Sequence, residues 1–285
     1  MLSLRQALIL GILQGVSELF PISSLGHSII LPALLGWMID QNANYFLTFL
    51  VATHFATAAV LFVIYRADWV RIIRGIVRSV WRRSLAEDSD AKLGWLLAVG
   101  TIPAGAIGLV LEKQLRELFA SPSYIASFLA LNGLLLYVAE LLRARAKTLS
   151  EVRDADQRIA AELSWLQSAK VGTMQVLALL PGFSRTGSTI AGGLMVGLAH
   201  EDALRFSFLL ATPIIGAAGA LKLPLLFWSR DVKAIETALM GATSAAIASY
   251  LSVKFLTRYF KTRTLVPFAA YCLLCGLVSF ALLRR

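Results

Sequence analysis

The sequence predicts an all-α integral membrane protein made of two inverted-topology repeats, each a re-entrant helical hairpin plus three transmembrane helices. Three observations predict it. First, 58% of the 285 residues are hydrophobic and only 15% are charged, with a mean hydropathy of +0.71. That is too apolar for a soluble domain, and several runs approach the ~20 residues a helix needs to cross the hydrocarbon core. Second, two apolar regions, about 4–37 and 169–199, are too long for one crossing and are broken near the middle by Pro, Gly and Ser. Third, these two regions match at one fixed offset of 161 residues, where Gln14 meets Gln175, Ser23 meets Ser184, Gly26 meets Gly187 and Gly36 meets Gly197.

In chain order, the first broken region has halves of about 13–15 residues, each short of a full crossing. Paired short helices around a Pro/Gly break read as a re-entrant hairpin, tolerated only where protein or a wet cavity surrounds the backbone. Crossings follow at about 45–66, 93–112 and 123–143. The second broken region comes next, and then crossings at about 203–227, 234–256 and 264–283. Just beyond the breaks, Phe49-Leu50-x-Ala52-Thr53 matches Phe208-Leu209-x-Ala211-Thr212 at an offset of 159. One hairpin plus three crossings is an odd count, so the second half must be inverted relative to the first. Matching breaks in inverted repeats point to the binding site. The chain therefore reads as one membrane domain, 1–285, with repeat one at about 1–145 and repeat two at about 165–285.

The net charge of +10 invites a nucleic-acid reading, but the cations sit mainly between apolar spans, which excludes it. Loops 66–92, 143–170, 199–205 and 257–263 carry seventeen Lys and Arg against seven on the other side. That bias makes the first side cytoplasmic and puts both termini outside. The hairpins then enter from opposite faces and meet inside the membrane. The mixed charges of loops 66–92 and 143–168 read as solvated surface or anionic-lipid contact. Cys272 and Cys275, three apart in the last apolar span, have no His or carboxylate beside them and read as packing residues.

Chemistry concentrates in the breaks. Gln14 and Glu18 are four apart, on one face of a helix. Their oxygens suit a hard divalent cation whose other ligands come from substrate phosphate. Pro21 ends that half-helix. Ser23, Ser24 and Gly26 sit where a second half-helix begins, and a helix N-terminus favours an anion such as phosphate. His27 follows in the first turn and could be a nucleophile or a general acid/base. In the second break, Arg185 supplies a planar fork matched to phosphate oxygens. Ser184, Thr186, Ser188 and Thr189 add hydroxyls, while Gly182 and Gly187 allow close backbone approach. Carboxylate, imidazole, guanidinium and hydroxyls at a hairpin junction spell phosphoryl chemistry, where positioning and charge stabilisation dominate.

Other polar residues read as structural. His54, mid-span at the position the repeat pairs with Pro213, reads as a satisfied packing histidine. His200, Glu201 and Asp202 read as helix-start residues in solvent. Gly11/Gly15 and Gly193/Gly197 read as helix-contact pairs, and Lys222 and Lys254 as snorkelling cations.

At the two breaks the sequence resembles the undecaprenyl-diphosphate phosphatase family, also called bacitracin-resistance proteins. The family's signatures occur here as Gln14-x-x-x-Glu18, Pro21-x-Ser23-Ser24-x-Gly26-His27 and Pro181-Gly182-x-Ser184-Arg185-Thr186-x-x-Thr189. The resemblance implies a multi-pass hydrolase of the bacterial inner membrane with its site toward the outer, periplasmic face. It would remove the terminal phosphate of a C55 polyprenyl diphosphate, giving the monophosphate carrier for peptidoglycan synthesis, with bacitracin resistance as a consequence. It also implies a divalent cofactor, Mg²⁺ or Ca²⁺, held by Glu18 and Gln14. Ser24 and His27 would be the nucleophile and base pair, in either order, and Arg185 the phosphate clamp. Ser23, Gly26, Ser184, Thr186 and Thr189 would assist in binding phosphate. Gln14 departs from the carboxylate many members have there, which removes one negative charge from the metal site. The partners implied are the lipid substrate and membrane lipids, with a homodimer left open. The rival reading is a polyprenyl-phosphate transporter or flippase, since inverted repeats with broken helices are also a transporter design.

Overall fold

Helices account for every regular element among the described residues of the computed structural model: 1–40, 43–85, 88–117, 121–143, 154–228 and 231–284. Side chains of 112–117, 218 and 221–228 are excluded from that description. The chain begins with α1, Leu4–Ser17, and α2, Ser24–Leu34, followed by α3, Asn44–Ile64, α4, Arg66–Arg82, α5, Ser89–Glu117, and α6, Pro122–Arg143. Then come α7, Ala155–Glu162, and α8, Trp165–Gln175, which runs through a 3₁₀ turn at Val176–Leu179 into the second break. The remainder is α9, Arg185–Met195, α10, His200–Trp228, α11, Val232–Tyr259, and α12, Val266–Leu283.

Five of these, α3, α5, α6, α11 and α12, are long and apolar enough to cross a membrane, so this is a multi-pass membrane protein. The sixth expected crossing lies within α10, a 29-residue helix. The helices of the two broken regions are shorter. α1 has 14 residues and α2, α8 and α9 have 11 each. At about 1.5 Å per residue none reaches the ~30 Å of a hydrocarbon core.

Sequence sets these short helices locally. Ser3 and Ser164 each form a capping box, with Gln6 and Gln167 respectively, satisfying amides that a helix start leaves open. α2 and α9 begin in the same way. The Ser23 hydroxyl accepts the Gly26 N–H at 3.2 Å, and the Ser184 hydroxyl accepts the Gly187 N–H at 3.0 Å. These four residues are two of the pairs related by 161 positions, so the sequence match corresponds to a shared cap.

Small residues bring the short helices against the long ones. Gly11 of α1 lies on the backbone of Gly241 and the Ser244 hydroxyl, and Gly15 lies on Ala245 and Ala248, all in α11. Gly172 of α8 lies on the Gly100 backbone of α5. α6 and α12 close on each other through Gly133 and Gly276. The Gly193/Gly197 pair does not work as one contact. Gly193 packs on Ala203 of α10, whereas Gly197 lies beyond the end of α9 with φ +105° and open space around it, a turn residue.

The charged loops also depart from a merely solvated surface. Asp156 of α7 is buried and accepts from Arg71 Nη2 at 2.9 Å, Arg205 Nε at 2.6 Å and Arg205 Nη2 at 2.8 Å. Arg205 also pairs with Asp68 at 3.0 Å and lies over the Tyr65 ring. Asp202 is buried and accepts from Arg158 at 2.9 and 2.7 Å, and buried His200 pairs with Glu140 at 2.8 Å. His200 and Asp202 are thus interior residues, because α7 and the end of α6 cover the start of α10; Glu201 stays partly exposed. Arg145, Lys147, Arg153, Arg230 and Arg285 lie outside the described residues, as does the Lys222 side chain. The two cysteines are free thiols and Cys272 is buried, as their packing reading requires.

Candidate active site

The two breaks meet. Thr186 of the second donates its hydroxyl to the Glu18 carbonyl of the first at 2.8 Å, and the Ser184 hydroxyl reaches the Phe20 carbonyl at 3.4 Å. Asn132 of α6 bridges them: its Nδ2 donates to the Pro21 carbonyl at 3.0 Å, and its Oδ1 accepts the Ser184 N–H at 3.0 Å. Two open backbone groups, one from each break, are satisfied by one amide side chain, as burial demands.

Glu18 is the centre of the junction and is 7% exposed. Its Oε1 takes Arg185 Nη2 at 3.1 Å. Its Oε2 takes the Ser24 hydroxyl at 2.5 Å and Gln14 Nε2 at 3.1 Å, with His54 Nε2 at 3.3 Å. Beside it lies a cavity of about 240 Å³ lined by Glu18, Ser23, Ser24, His54, Gln175, Ser184 and Arg185, with apolar walls from Ala104, Leu179, Phe183 and Ile215. An acid and a hydroxyl from one break therefore face a guanidinium from the other, and the imidazole expected beside them, His27, is not among the cavity's lining residues.

Several expected residues take other places. His27 is buried, but it does not line the cavity. Its Nδ1 lies 2.6 Å from the Ser23 carbonyl and its Nε2 lies 2.8 Å from the Tyr271 hydroxyl, with the two rings stacked. Both ring nitrogens are occupied away from Ser24. Thr189 bonds the Arg185 and Thr186 carbonyls and Ser207, so its hydroxyl is spent inside the protein. Thr186 is likewise spent on Glu18, and the Gly26 amide on Ser23. Ser23 holds a left-handed backbone, φ +70°, which is strained for a residue with a side chain; that turn places Ser24 against Glu18.

His54 is a correction. It does not merely pack; it lines the cavity and contacts the Glu18 carboxylate. Its Nδ1 lies 2.7 Å from the Leu50 carbonyl, which can only accept, so Nδ1 carries a proton. Nε2 is the nitrogen that faces the carboxylate, 3.3 Å from Glu18 Oε2. The available signal was a lone ionisable residue in the middle of an apolar span. Asn132 gave a weaker signal, an isolated neutral amide within the apolar run of α6, and Gln175 had only its match to Gln14.

The donor set bears on a divalent ion. Among the described residues no group of three or more His, Cys, Asp and Glu could hold a metal, and Glu18 is the sole carboxylate lining the cavity. However, the buried carbonyl oxygens of Gln14 and Gln175 have no hydrogen-bond partner. One carboxylate and amide oxygens fit a hard cation that takes most of its ligands from phosphate and water.

The fold and this junction define a class: a multi-pass helical membrane protein with a buried, partly unsatisfied polar site suited to phosphoryl groups. The comparisons with known proteins are more specific. Residues 7–278 match the model of the bacitracin resistance protein BacA family, and the chain belongs to that family. It is 46% identical to an undecaprenyl-diphosphatase of Mycolicibacterium paratuberculosis, over 96% of this chain and 95% of that protein. It is 47% identical to undecaprenyl-diphosphatase 2 of Chromobacterium violaceum, over 96% of each, and 41% identical to undecaprenyl-diphosphatase 2 of Frankia alni, again over 96% of each.

Proposed function

We propose that this protein is an undecaprenyl-diphosphatase that removes the terminal phosphate of a membrane-bound polyprenyl diphosphate. One observation carries the chemistry: the Ser24 hydroxyl is bonded to Glu18 in a cavity where two of the three Arg185 nitrogens have no partner. The substrate's terminal phosphoryl group sits on those nitrogens, whose planar fork matches its oxygens. Ser24 Oγ attacks phosphorus and gives its proton to the Glu18 carboxylate. The bridging P–O bond breaks, and its electron pair leaves with the lipid monophosphate. Water then cleaves the phosphoserine, releasing phosphate and restoring the Ser24 hydroxyl. Arg185 offsets the charge on the transferred group throughout. His54 holds Glu18 in place, and His27, braced by Tyr271, fixes the first turn of α2.

A divalent ion, Mg²⁺ or Ca²⁺, would be held by Glu18 with the Gln14 amide oxygen. When bound it would supply further neutralisation of phosphate charge.

The fold supports the inverted-repeat architecture. Exchanging α1, α2, α3, α5 and α6 with α8, α9, α10, α11 and α12 returns the α3–α10 and α6–α12 contacts to themselves and turns α1–α11 into α5–α8. The hairpins then dip into the bilayer from opposite faces. The basic loops lie in the cytoplasm, in the inner membrane of a bacterium, and the cavity opens toward the outer face.

The test is phosphate release from a polyprenyl diphosphate by the purified protein in detergent. Release is expected from the wild type and lost in Ser24→Ala. A wild type that moved lipid phosphate across sealed vesicles without releasing phosphate would overturn the reading in favour of a transporter.

A further inference from the structure

Gln175 closes α8 and is the residue that the 161-residue offset pairs with Gln14. The two amides have different surroundings. Gln14 donates to Glu18. Gln175 is only 3% exposed, lines the cavity, and has no partner for either its Nε2 or its Oε1. Buried polar side chains almost always find partners, and leaving an amide without one is costly. A packing role would be served at lower cost by an apolar side chain. Arg185, lining the same cavity, leaves Nε and Nη1 unpartnered too. The space enclosed, about 240 Å³, is several times the ~30 Å³ share of one water.

We propose that Gln175 binds the second phosphate of the substrate, its Nε2–H donating to an oxygen of the lipid-linked phosphoryl group while Arg185 holds the terminal one. The site then distinguishes a diphosphate from a monophosphate. A diphosphate meets both unsatisfied groups, whereas the monophosphate product and free phosphate meet only one. This assignment rests on the hydrolase reading above, because it names which part of that substrate the residue touches.

Methylenediphosphonate, which cannot be hydrolysed, and inorganic phosphate are the probes, applied to the intact protein in detergent. Binding is read as a thermal shift and as competition against lipid diphosphate turnover. The wild type should prefer the diphosphonate. Gln175→Leu should melt no lower than wild type, since it removes a buried unsatisfied amide. It should bind the diphosphonate about ten- to a hundredfold more weakly, the loss expected for one hydrogen bond to a charged group. Its affinity for inorganic phosphate should be unchanged, and KM for the lipid should rise more than kcat falls. Gln175→Glu, which puts a negative charge against phosphate, should abolish the preference altogether. If Gln175→Leu melts lower, Gln175→Met replaces it in the same comparison. A variant that keeps the diphosphonate preference, or weakens both probes equally, overturns the proposal, as does a wild type without the preference. A wild type that prefers the diphosphonate yet releases no phosphate from lipid instead sinks the hydrolase reading, leaving the diphosphate-binding role in place.

Discussion

Among the described residues, two buried polar regions are built on opposite principles. Around α7 and the start of α10, Asp156 takes three donors from Arg71 and Arg205, Asp202 takes two from Arg158, and Glu140 takes both His200 and the Leu265 amide. Each of these carboxylates is satisfied by the chain itself. At the junction of the breaks, Glu18 is satisfied, but Gln14, Gln175 and Arg185 keep buried atoms with no partner. The first region is complete without a ligand and ties helices together. The second is incomplete without one. Since an unmade buried hydrogen bond costs more than a made one returns, leaving it incomplete lowers the stability of the unliganded protein, and a ligand restores what is lost.

Substitutions can break this contrast, and the largest effects belong to the incomplete region. Ser24→Ala should lower phosphate release by more than about 10³-fold, because it removes the attacking atom, while its melting temperature stays near wild type. His54→Ala should cost about ten- to a hundredfold, the loss seen when a supporting partner of a reactive group is removed. His54→Gln, whose amide can still donate to Glu18, should recover much of that rate. If alanine and glutamine behave alike, the imidazole has no positioning role. The complete region should respond in stability instead. Asp156→Ala should destabilise the protein by about 2–3 kcal/mol, below the 3–5 kcal/mol of a fully buried broken pair, because Arg71 is 46% and Arg205 23% exposed. Turnover per folded molecule should not change, as judged by detergent melts alongside assays. The smallest effect tests the metal. Gln14→Glu places a second carboxylate four residues from Glu18, so the metal-free protein should melt a few degrees lower and added Mg²⁺ should raise its melting temperature more than it raises that of wild type.

Much of this was legible in the sequence for physical reasons. Crossings are long apolar runs, and five of the six expected ones were recovered within a few residues, with the sixth inside α10. The breaks were legible because Pro21 and Gly182 interrupt periodicity. Glu18 and Arg185 stand out as ionisable groups that lipid does not tolerate alone, and Ser24 lies in the same break as Glu18. What was not legible came from helices distant in sequence. His54 and Asn132 arrive from α3 and α6, and spacing along the chain says nothing about which neighbour an isolated polar side chain will face. His27 shows the converse: it lies near Ser24 in sequence, but Tyr271, 244 residues away, occupies its Nε2. The ion pairs of α7 were hidden for the same reason, since mixed charge in a loop looks alike whether it is solvated or folded in.

The bridge made by Asn132 has a mechanical consequence. Because one side chain clasps the main chain of both bends, pulling the hairpins apart would strip that clasp together with the Thr186–Glu18 and Ser184–Phe20 bonds. A rocking cycle would have to tear and remake this seam at every turnover. Such a junction behaves as a fixed vise, so a ligand has to reach the cavity while the two bends stay clasped.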